Sequence, residues 1–205
     1  MKLKDKIKLI STNFNDVMLF ETTSYKDDRG SFKEAFNNEI RELTLMSSTI
    51  LQINVKPNTP GEVGLPKVAI DSADISYLGV EGDYNRFRFN KKNNDPEMAI
   101  MLISMDILKD LNNEGWPVKP GDLGENLTLQ NIEYDKINPG QHYKVGEAEI
   151  EISIICDPCS NLSALPYVGK DKISTFIKTL MKRRGWYARV IKEGHISSGD
   201  PVLPI

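Results

Sequence analysis

The sequence predicts a mostly β fold of the α+β class, and three observations lead to this prediction. From Ile50 onward, short alternating segments are separated by Pro and Gly, which is typical of β-rich domains. Ala148–Ile155 alternates isoleucine with Glu and Ser and has the clearest strand pattern in the chain. The helix patterns are only two, and both are modest. Together these features favour a β-barrel or a β-rich α+β domain.

The length and the net charge of the chain limit the classes of function that it can have. A chain of 205 residues can form one good core, or a core with a small appendage. The formal net charge of -3 argues against a general nucleic-acid binder. The apolar run Met98–Ile103 is too short to cross a bilayer, and Met1–Lys8 lacks the features of a secretion signal. We therefore expect a cytoplasmic protein without a membrane or nucleic-acid partner.

The strand predictions follow from alternation bounded by turn residues. Two segments stay open: Ala99–Ile103 is a buried strand or the approach to a helix, and Ser31–Phe36 is a strand or a short helix. Turn chemistry at Asp27–Gly30 precedes the second of these. The other predicted strands are Asp16–Phe20, Ile50–Val55, Lys67–Ile70, Ile75–Val80, Ala148–Ile155, Tyr187–Ile191 and Pro201–Leu203.

Two helices are predicted. Ser104 is a good N-cap for a helix through about Leu111. A second helix is predicted over Lys170–Arg184, and Gly185 is placed to end it. Its apolar stripe, at helical spacing, consists of Ile173, Phe176, Ile177, Leu180 and Met181.

The two cysteines form a C-x-x-C pattern, Cys156 and Cys159. In a cytosolic protein this spacing indicates redox or metal chemistry more often than a structural disulfide. A closed zinc site is not favoured, because His142 and His195 do not stand at zinc-like spacing from the cysteines. Cys159 follows a long strand and the breaker Asp157-Pro158, so we expect its thiol where the chain leaves the sheet. The alternative is a pair of buried, inert cysteines.

Three further segments carry polar and basic side chains. Gly79–Phe89 places two arginines after a glycine-rich turn, which suits an anionic planar ligand or, alternatively, a turn followed by an edge strand. Pro120–Thr128 is a polar loop that lines a pocket or is purely architectural. Arg183–Val190 forms a wall of an anion site or a solvated helix end. Candidate residues in these segments are Arg86, Arg88, Asp122, Glu125, Asn126, Arg184 and Arg189.

Taken in order, these segments resemble the MOSC domain, the C-terminal domain of molybdenum cofactor sulfurases, over residues from about 50 to 205. No single segment is specific, but their common order makes chance resemblance improbable. The matching segments are Gly79–Asp83, Pro120–Thr128, Pro158-Cys159, Arg184–Val190 and Gly199-Asp200.

The resemblance implies a strongly bent, mostly antiparallel β-barrel with a few short helices, formed by residues 49–205. It implies that Cys159 is the catalytic residue, which carries sulfur as a persulfide or binds the molybdenum of a pterin cofactor, the molybdenum cofactor. The arginines at 86, 88, 184 and 189 would hold the cofactor's phosphate, and Asp122, Glu125 and Asn126 would line or shape the pocket. The implied functions are sulfur transfer and molybdenum-dependent reduction of N-hydroxylated compounds.

Partners follow from the same resemblance. Sulfurases obtain sulfur from a pyridoxal-phosphate domain, and no lysine here stands in a recognisable Schiff-base setting. We therefore expect a separate cysteine desulfurase or an electron-donor protein as partner. A different class of function stays open: a non-catalytic binding module for a phosphorylated pterin or a partner enzyme.

The sequence departs from the MOSC pattern at two places. Tyr84 stands where many relatives carry His after the Gly-Asp turn. Cys156 stands where many carry Arg before the Pro-Cys. The second change makes a dithiol able to form an internal disulfide, or it leaves Cys156 as a buried bystander.

Residues 1–48 do not fit the MOSC pattern and are similar to the opening of dTDP-4-dehydrorhamnose 3,5-epimerases, through Asp16-Val17, Asp28–Gly30 and Phe32–Glu34. That enzyme uses a histidine base, and no histidine precedes His142 in this chain. We predict no epimerase activity. We expect an N-terminal extension that adds strands, extends the barrel or pairs the subunits of a homodimer.

Overall fold

A computed structural model describes residues 7–11, 19–22 and 47–205. The chain divides into two compact units, Met1–Leu45 and Met46–Ile205. In the first unit, strand β1 (Ile7–Ser11) pairs antiparallel with β2 (Leu19–Thr22), with an irregularity between Leu9 and Ser11. The predicted strand Asp16–Phe20 overlaps β2 at its end, whereas Asp16 to Met18 and the segment Asp27–Phe36 lie outside the described residues.

The second unit is built mainly from strands. They are β3 (Thr49–Val55), β4 (Val68–Ile70), β5 (Ser72–Ser76), β6 (Gly79–Val80), β7 (Ile100–Ser104), β8 (Leu127–Gln130), β9 (His142–Val145), β10 (Ala148–Ile155), β11 (Trp186–Lys192), β12 (Gly194–Ser197) and β13 (Val202–Pro204). Its helices are α1 (Arg86–Lys91), α2 (Met105–Asn113) and α3 (Gly169–Thr179), with 3-10 turns at Pro96–Met98, Tyr134–Lys136 and Ser160–Ala164. The β-rich class predicted from the sequence is confirmed.

Eight strands form one sheet in the order β13-β9-β10-β11-β7-β8-β3-β4. Its pairings are antiparallel except between β7 and β8, which are parallel. A single bridge, Thr49 with Pro201, brings the start of β3 to the chain before β13. The sheet is therefore bent towards itself without a continuous closed ladder, so the expected barrel is not fully closed. A smaller sheet has the order β12-β5-β6.

Local sequence explains the elements that form. Isoleucines at 150 and 152 in β10 are buried while Glu149 and Glu151 are only partly covered, as alternation requires. Ser104 caps α2, and its Oγ accepts a hydrogen bond from the Asp106 N–H at 3.2 Å. The open choice at Ala99–Ile103 is decided in favour of a strand, β7, whose five residues are all buried.

Three sequence predictions need correction. Ile75–Val80 is not one strand: a turn at Tyr77-Leu78 separates β5 from β6, since the Ser76 Oγ accepts from the Leu78 N–H at 3.2 Å. The edge strand offered as the alternative after Gly79–Asp83 is wrong, because Asn85 caps a helix and accepts from the Arg88 N–H at 3.0 Å.

The third correction concerns the last helix. It ends at Thr179 rather than at Arg184. Lys182 has a left-handed backbone, with φ of 63°, which a continuing α-helix does not allow. Met181 is consequently 52% exposed and does not belong to the buried stripe, whereas Phe176 and Leu180 are fully buried.

Two large apolar clusters support the unit, and a third, smaller one contains Cys156. The first fills the space between the strands and includes Ile50, Ile100, Leu127, Ile150 and Ile196. The second lies under the helices and includes Leu108, Leu123, Leu162, Phe176 and Leu180. The loop that carries Leu123 is thus anchored in the second cluster, beside the segment that follows β10. No helix within the described residues combines the length and apolar character that a membrane span requires.

Candidate functional site

Cys159 lies where the chain leaves the large sheet. Strand β10 ends at Ile155, and Cys159 is the N-cap of the 3-10 turn Ser160–Ala164 with an extended backbone. Its carbonyl accepts from the Leu162 N–H at 3.2 Å, which fixes the start of that turn. The residue is half-buried and its thiol is free. A partly exposed thiol at the end of a strand is what the sequence predicted.

Arg184 contacts this thiol. Its Nη1 lies 3.3 Å from the Cys159 Sγ and donates to the Asp157 carbonyl at 2.8 Å. Its Nε and Nη2 both donate to the Leu123 carbonyl, at 3.3 and 3.1 Å. The residue is only 7% exposed. Two backbone carbonyls therefore hold the guanidinium in one orientation, and its remaining contact is to sulfur.

The electrostatics of this Cys159–Arg184 pair follow from its surroundings. Burial works against a charged guanidinium, but the facing groups Cys156, Cys159 and Tyr187 together raise the pKa of Arg184. No carboxylate is bonded to Arg184 among the described residues. The charged guanidinium therefore faces a sulfur atom, and thiol sulfur is both a nucleophile and a ligand for soft metals.

Cys156 lies in a different environment. It is 1% exposed and packs with Met98, Met101 and Tyr187. Its backbone N–H donates to the Gly185 carbonyl at 2.9 Å, and its Sγ lies 3.8 Å from the Asp157 carbonyl. Burial raises the pKa of the Cys156 thiol, with a smaller opposing effect of Arg184. Both cysteines are free thiols, and only Cys159 combines exposure with a close cation.

The Pro120–Thr128 loop joins this pair to the rest of the fold. Gly121 has φ of 91°, and a side chain there would lie 2.6 Å from the Lys67 carbonyl, so the position requires glycine. Asp122 accepts from the Lys119 N–H at 2.9 Å and from the Tyr167 hydroxyl at 2.8 Å. The Leu123 carbonyl in this loop accepts hydrogen bonds from Arg184. The conformation of the loop therefore fixes the guanidinium beside Cys159.

Glu125 is fully buried in the same loop. Its Oε1 accepts from the Gly121 N–H at 2.6 Å and from the Thr128 Oγ at 3.0 Å. Its Oε2 is buried without a hydrogen-bond partner among the described residues. Burial raises the pKa of the Glu125 carboxyl, although its hydrogen bonds and Lys67 oppose this. The carboxyl shapes the loop from within and does not face solvent.

Asn126 and Asp83 belong to a second polar group. Asp83 accepts from the Lys67 Nζ at 2.7 Å, from the Asn126 Nδ2 at 2.9 Å and from the Lys56 N–H at 2.8 Å. The Asn126 Oδ1 also accepts from the Met101 N–H at 3.1 Å. The Lys67 and Asp83 side chains are 4% and 7% exposed. We call this group, with Asn54, Glu125 and Thr128, the Asp83 cluster.

The two arginines of helix α1 differ. Arg88 is buried, and its guanidinium donates to the carbonyls of Asp95, Leu78 and Asn94 at 2.7, 2.6 and 3.2 Å. Burial lowers the pKa of Arg88, and Asp95 and Asp83 oppose this shift. In contrast, the Arg86 Nη1 is buried without a partner among the described residues. The Arg86 Nη2 donates to the Pro57 and Thr59 carbonyls at 3.4 and 3.5 Å, so one nitrogen of Arg86 remains without a hydrogen bond. Arg88 joins the β5–β6 turn to the loop after α1.

Arg189 faces two carboxylates. On β11 it bonds the Glu151 carboxylate at 2.6 and 3.0 Å and the Glu97 carboxylate at 3.2 Å. His142 lies 3.3 Å from the same Glu151. Arg189 and Arg184 share none of these contacts. The prediction that Arg88 and Arg189 hold a phosphate stays a prediction, and their present bonds make it less favourable.

Three residues that bond the predicted segments were not themselves predicted. Lys67, Tyr134 and Tyr167 contact loop segments that carry the candidate residues. Each is distant in sequence from its partner, so no local pattern marks it. A local sequence feature connected with these contacts is the Gly82-Asp83 turn, which contains Asp83, the partner of Lys67.

A comparison with known protein families covers the segments that carry Cys159 and Arg184. The MOSC domain family matches residues 88–203. The match contains the Cys159–Arg184 pair and the Pro120–Thr128 loop, and it spans more than half of the chain.

The chain belongs to the MOSC domain family.

Solved structures have a fold similar to that of this chain. YiiM from Geobacillus stearothermophilus has 25% sequence identity over 77% of this chain and 75% of its own, with a TM-score of 0.59. The YUAD protein from Bacillus subtilis shares the fold with a TM-score of 0.60 at 16% identity, over 76% of this chain and 94% of its own. YiiM from Escherichia coli shares it with a TM-score of 0.52 at 22% identity, over 75% and 69%. No curated protein matches the sequence.

The MOSC assignment covers less of the chain than the resemblance predicted from the sequence. The predicted segment began at about residue 50, and Gly79–Asp83 lies before the matched residues. The resemblance of residues 1–48 to an epimerase stays a prediction. The boundary between extension and domain, placed at 48/49, stays a prediction as well.

The chemistry available at this site fits a soft metal centre with an anionic cofactor. Cys159 provides a sulfur ligand of the kind that soft metals prefer. Arg184 provides a guanidinium group beside it, and guanidinium groups suit phosphate. No cluster of three or more His, Cys, Asp or Glu side chains is placed to hold a metal ion in the part of the chain described.

Proposed function

We propose that this MOSC protein is a molybdenum-cofactor-associated protein in which Cys159 is the reactive residue. The supporting observation is the 3.3 Å contact between the Arg184 Nη1 and the Cys159 Sγ, with Arg184 buried and held by backbone carbonyls. The two activities within this proposal are sulfur carriage and molybdenum-dependent reduction of N-hydroxylated compounds.

In sulfur carriage, the Cys159 thiolate attacks the outer sulfur of a donor persulfide. A new S–S bond forms on Cys159 while the donor's thiolate leaves, so the product is a Cys159 persulfide. Arg184 stabilises the anionic sulfur before and after transfer, since its cation lies beside the Sγ. The donor is a separate protein, a cysteine desulfurase.

In the reductase role, the molybdenum cofactor supplies two-electron redox chemistry when bound, and an electron-donor protein is the partner. Cys159 would hold the metal through its sulfur, and Arg86 and Arg184 would hold the phosphate of the pterin. Asp122, Glu125 and Asn126 shape the pocket from the loop that fixes Arg184. The chain's own contribution is to position the Cys159 sulfur beside the buried Arg184 cation.

The test is to purify the full chain under reducing, molybdenum-replete conditions. Bound molybdenum and the mass of the peptide that contains Cys156 and Cys159 are then measured for the wild type and for Cys159→Ser. Stoichiometric molybdenum that disappears in C159S supports the reductase role. A persulfide mass on Cys159, without molybdenum, supports sulfur carriage.

A matched pair of variants isolates the role of Arg184. Arg184→Gln removes the charge, while Arg184→Lys keeps it. We expect R184Q to slow alkylation of Cys159 by about tenfold at neutral pH, because the cation beside the attacking sulfur is lost. R184K should lie much closer to the wild type. Equal rates in all three proteins, with unchanged melting temperatures, would contradict the proposal.

A second function is favoured by one observation, the buried and unpartnered Arg86 Nη1. Under this second hypothesis the protein is a non-catalytic module that binds a phosphorylated pterin. Arg86→Gln would then abolish binding of a pterin phosphate, while C159S would leave it unchanged. The opposite result, loss in C159S alone, would reject this function.

A further inference from the structure

Two residues with unusual backbone angles bracket Arg184. Lys182 has φ of 63°, in the left-handed region, and Gly185 has φ of 120°. A side chain at 185 would lie 2.5 Å from the Leu102 carbonyl, so this position brings the chain into close contact with β7. A non-glycine residue adopts a left-handed backbone only when surrounding contacts hold it. The segment 182–185 therefore needs a contact outside itself to keep this shape.

Tyr134 provides that contact. Its hydroxyl donates to the Lys182 carbonyl at 3.2 Å and accepts from the Gly185 N–H at 3.1 Å. One oxygen atom thus binds the backbone on both sides of Arg183-Arg184. The ring of Tyr134 packs against both large apolar clusters of the unit, which fixes the hydroxyl in place.

The hydroxyl is suited to this double role. Burial raises the pKa of Tyr134 to about 12, so it is neutral over the physiological range and keeps its proton as a donor. The neighbouring Gly185 N–H opposes this rise in pKa, and Cys156 adds to it. A neutral phenol can donate one hydrogen bond and accept another at the same time.

We infer that Tyr134 is a positioning residue of the Cys159–Arg184 pair, acting through the backbone of residues 182–185. This inference rests on the proposed function, since it concerns the reactivity of Cys159. Tyr134 does not contact the reacting sulfur. It fixes the segment from which Arg184 reaches the thiol, and so sets the distance between cation and sulfur.

The test compares two tyrosine variants of the full chain. Tyr134→Phe removes the hydroxyl and keeps the ring. Tyr143→Phe is the matched control, because its hydroxyl bonds only Gln141 among the described residues and lies on β9. The rate of alkylation of Cys159 is followed by the mass of its peptide after reduction. We expect Y134F to slow the reaction by about fivefold, the factor for one lost hydrogen bond, and Y143F to leave it unchanged.

A double-variant cycle separates positioning from general loosening of the fold. If Tyr134 acts through Arg184, then Y134F added to R184Q should slow alkylation no further than R184Q alone. Independent, multiplying losses in the double variant would overturn the inference. An unchanged rate in Y134F would overturn it as well. Melting temperatures of all variants show whether each protein is folded.

Failure of the inference and failure of the proposed function give different results. If R184Q slows alkylation and Y134F does not, the role of Tyr134 is rejected and that of Arg184 stands. If R184Q itself leaves the rate unchanged, the proposed function loses its supporting contact. Should R184Q fail to fold, Arg184→Met takes its place in the cycle, because it also removes the charge and the hydrogen bonds of the guanidinium.

Discussion

Lys67 and Arg184 are two buried cations with opposite surroundings: Lys67 contacts a carboxylate, whereas Arg184 contacts none among the described residues. Lys67 faces the Asp83 carboxylate at 2.7 Å, and Asp83 is bonded further by Asn126 and the Lys56 N–H. Arg184 faces backbone carbonyls and the Cys159 sulfur, with no carboxylate bonded to it in the described residues. In the Asp83 cluster the positive charge is neutralised within the fold. Beside Cys159, the positive charge of Arg184 has no carboxylate partner among the described residues, so it can interact with the sulfur or with an anionic ligand.

From this difference we infer that the Lys67–Asp83 pair serves the stability of the fold and that Arg184 serves the reactivity of Cys159. A buried cation with a carboxylate partner contributes to a fixed structure, and removing its partner leaves an uncompensated charge. A buried cation held by neutral carbonyls keeps its charge available. We therefore expect substitutions in the Asp83 cluster to change folding, and substitutions around Arg184 to change the chemistry of Cys159. The following predictions test this separation, from the largest expected effect to the smallest.

The largest effect is expected for Asp83→Asn. The change leaves the Lys67 ammonium buried without a counter-charge, which should lower the free energy of unfolding by about 3–5 kcal/mol. Urea denaturation measures it. The double variant Asp83→Asn with Lys67→Met removes both charges and should recover most of the loss. A D83N protein as stable as the wild type would show that the pair is not buried in solution.

A pH-dependent effect is expected for Glu125. Because its pKa is raised in the folded state, the unfolded chain loses the proton first, near the ordinary value of 4.5. The folded state binds more protons between this value and its raised pKa. The free energy of unfolding therefore falls as pH rises through that window, by at most about 1.4 kcal/mol for each pH unit.

Glu125→Gln keeps the shape of the side chain and removes this titration. Comparing urea denaturation of both proteins at about pH 5 and about pH 8 isolates the contribution of Glu125. We expect the wild type to lose more stability than E125Q between the two values. Parallel changes in the two proteins would mean that the carboxyl titrates as an ordinary one.

A smaller effect is expected for Cys156→Ala. Truncating this buried side chain leaves a small cavity and should lower the free energy of unfolding by about 1 kcal/mol. The alkylation rate of Cys159 should stay within about twofold of the wild type, because the cation contact is untouched. A large loss of Cys159 reactivity or of persulfide turnover would instead support a dithiol mechanism, in which Cys156 takes part.

The smallest effect is expected for Arg189→Gln. The Arg189 side chain is 43% exposed in its ion pairs with Glu151 and Glu97, so solvent screens them and they contribute little to stability. The melting temperature and the alkylation rate of Cys159 should both match the wild type. A clear loss of pterin-phosphate binding in R189Q would restore the role that the sequence predicted for this arginine.

Some features follow from local sequence. Strand β10 was predicted with its observed bounds, since alternation of isoleucine with polar residues is a property of consecutive positions. The cap at Ser104 was predicted for the same reason. Cys159 was placed at the end of a strand by its own neighbours, Asp157 and Pro158. These predictions required no contact between distant parts of the chain.

Other features depend on contacts that sequence position does not reveal. Arg86, Arg88, Arg184 and Arg189 were equivalent candidates in the sequence. In the structure Arg88 binds carbonyls of its own neighbourhood, Arg189 binds two carboxylates, and Arg184 alone of the four contacts Cys159 among the described residues. The end of the last helix was predicted too late for a similar reason, because the left-handed Lys182 is bonded through its carbonyl to Tyr134.

The sequence by itself determined the β-rich class, the strands with regular alternation, the MOSC assignment and the choice of Cys159 as the candidate reactive residue. The tertiary structure alone decided which cation lies beside that thiol, which cysteine is buried and which polar groups neutralise one another. The physical reason is the range of the interactions. Backbone conformation and alternation act between neighbouring residues, whereas a charge meets its partner only when strands and loops distant in sequence are packed together.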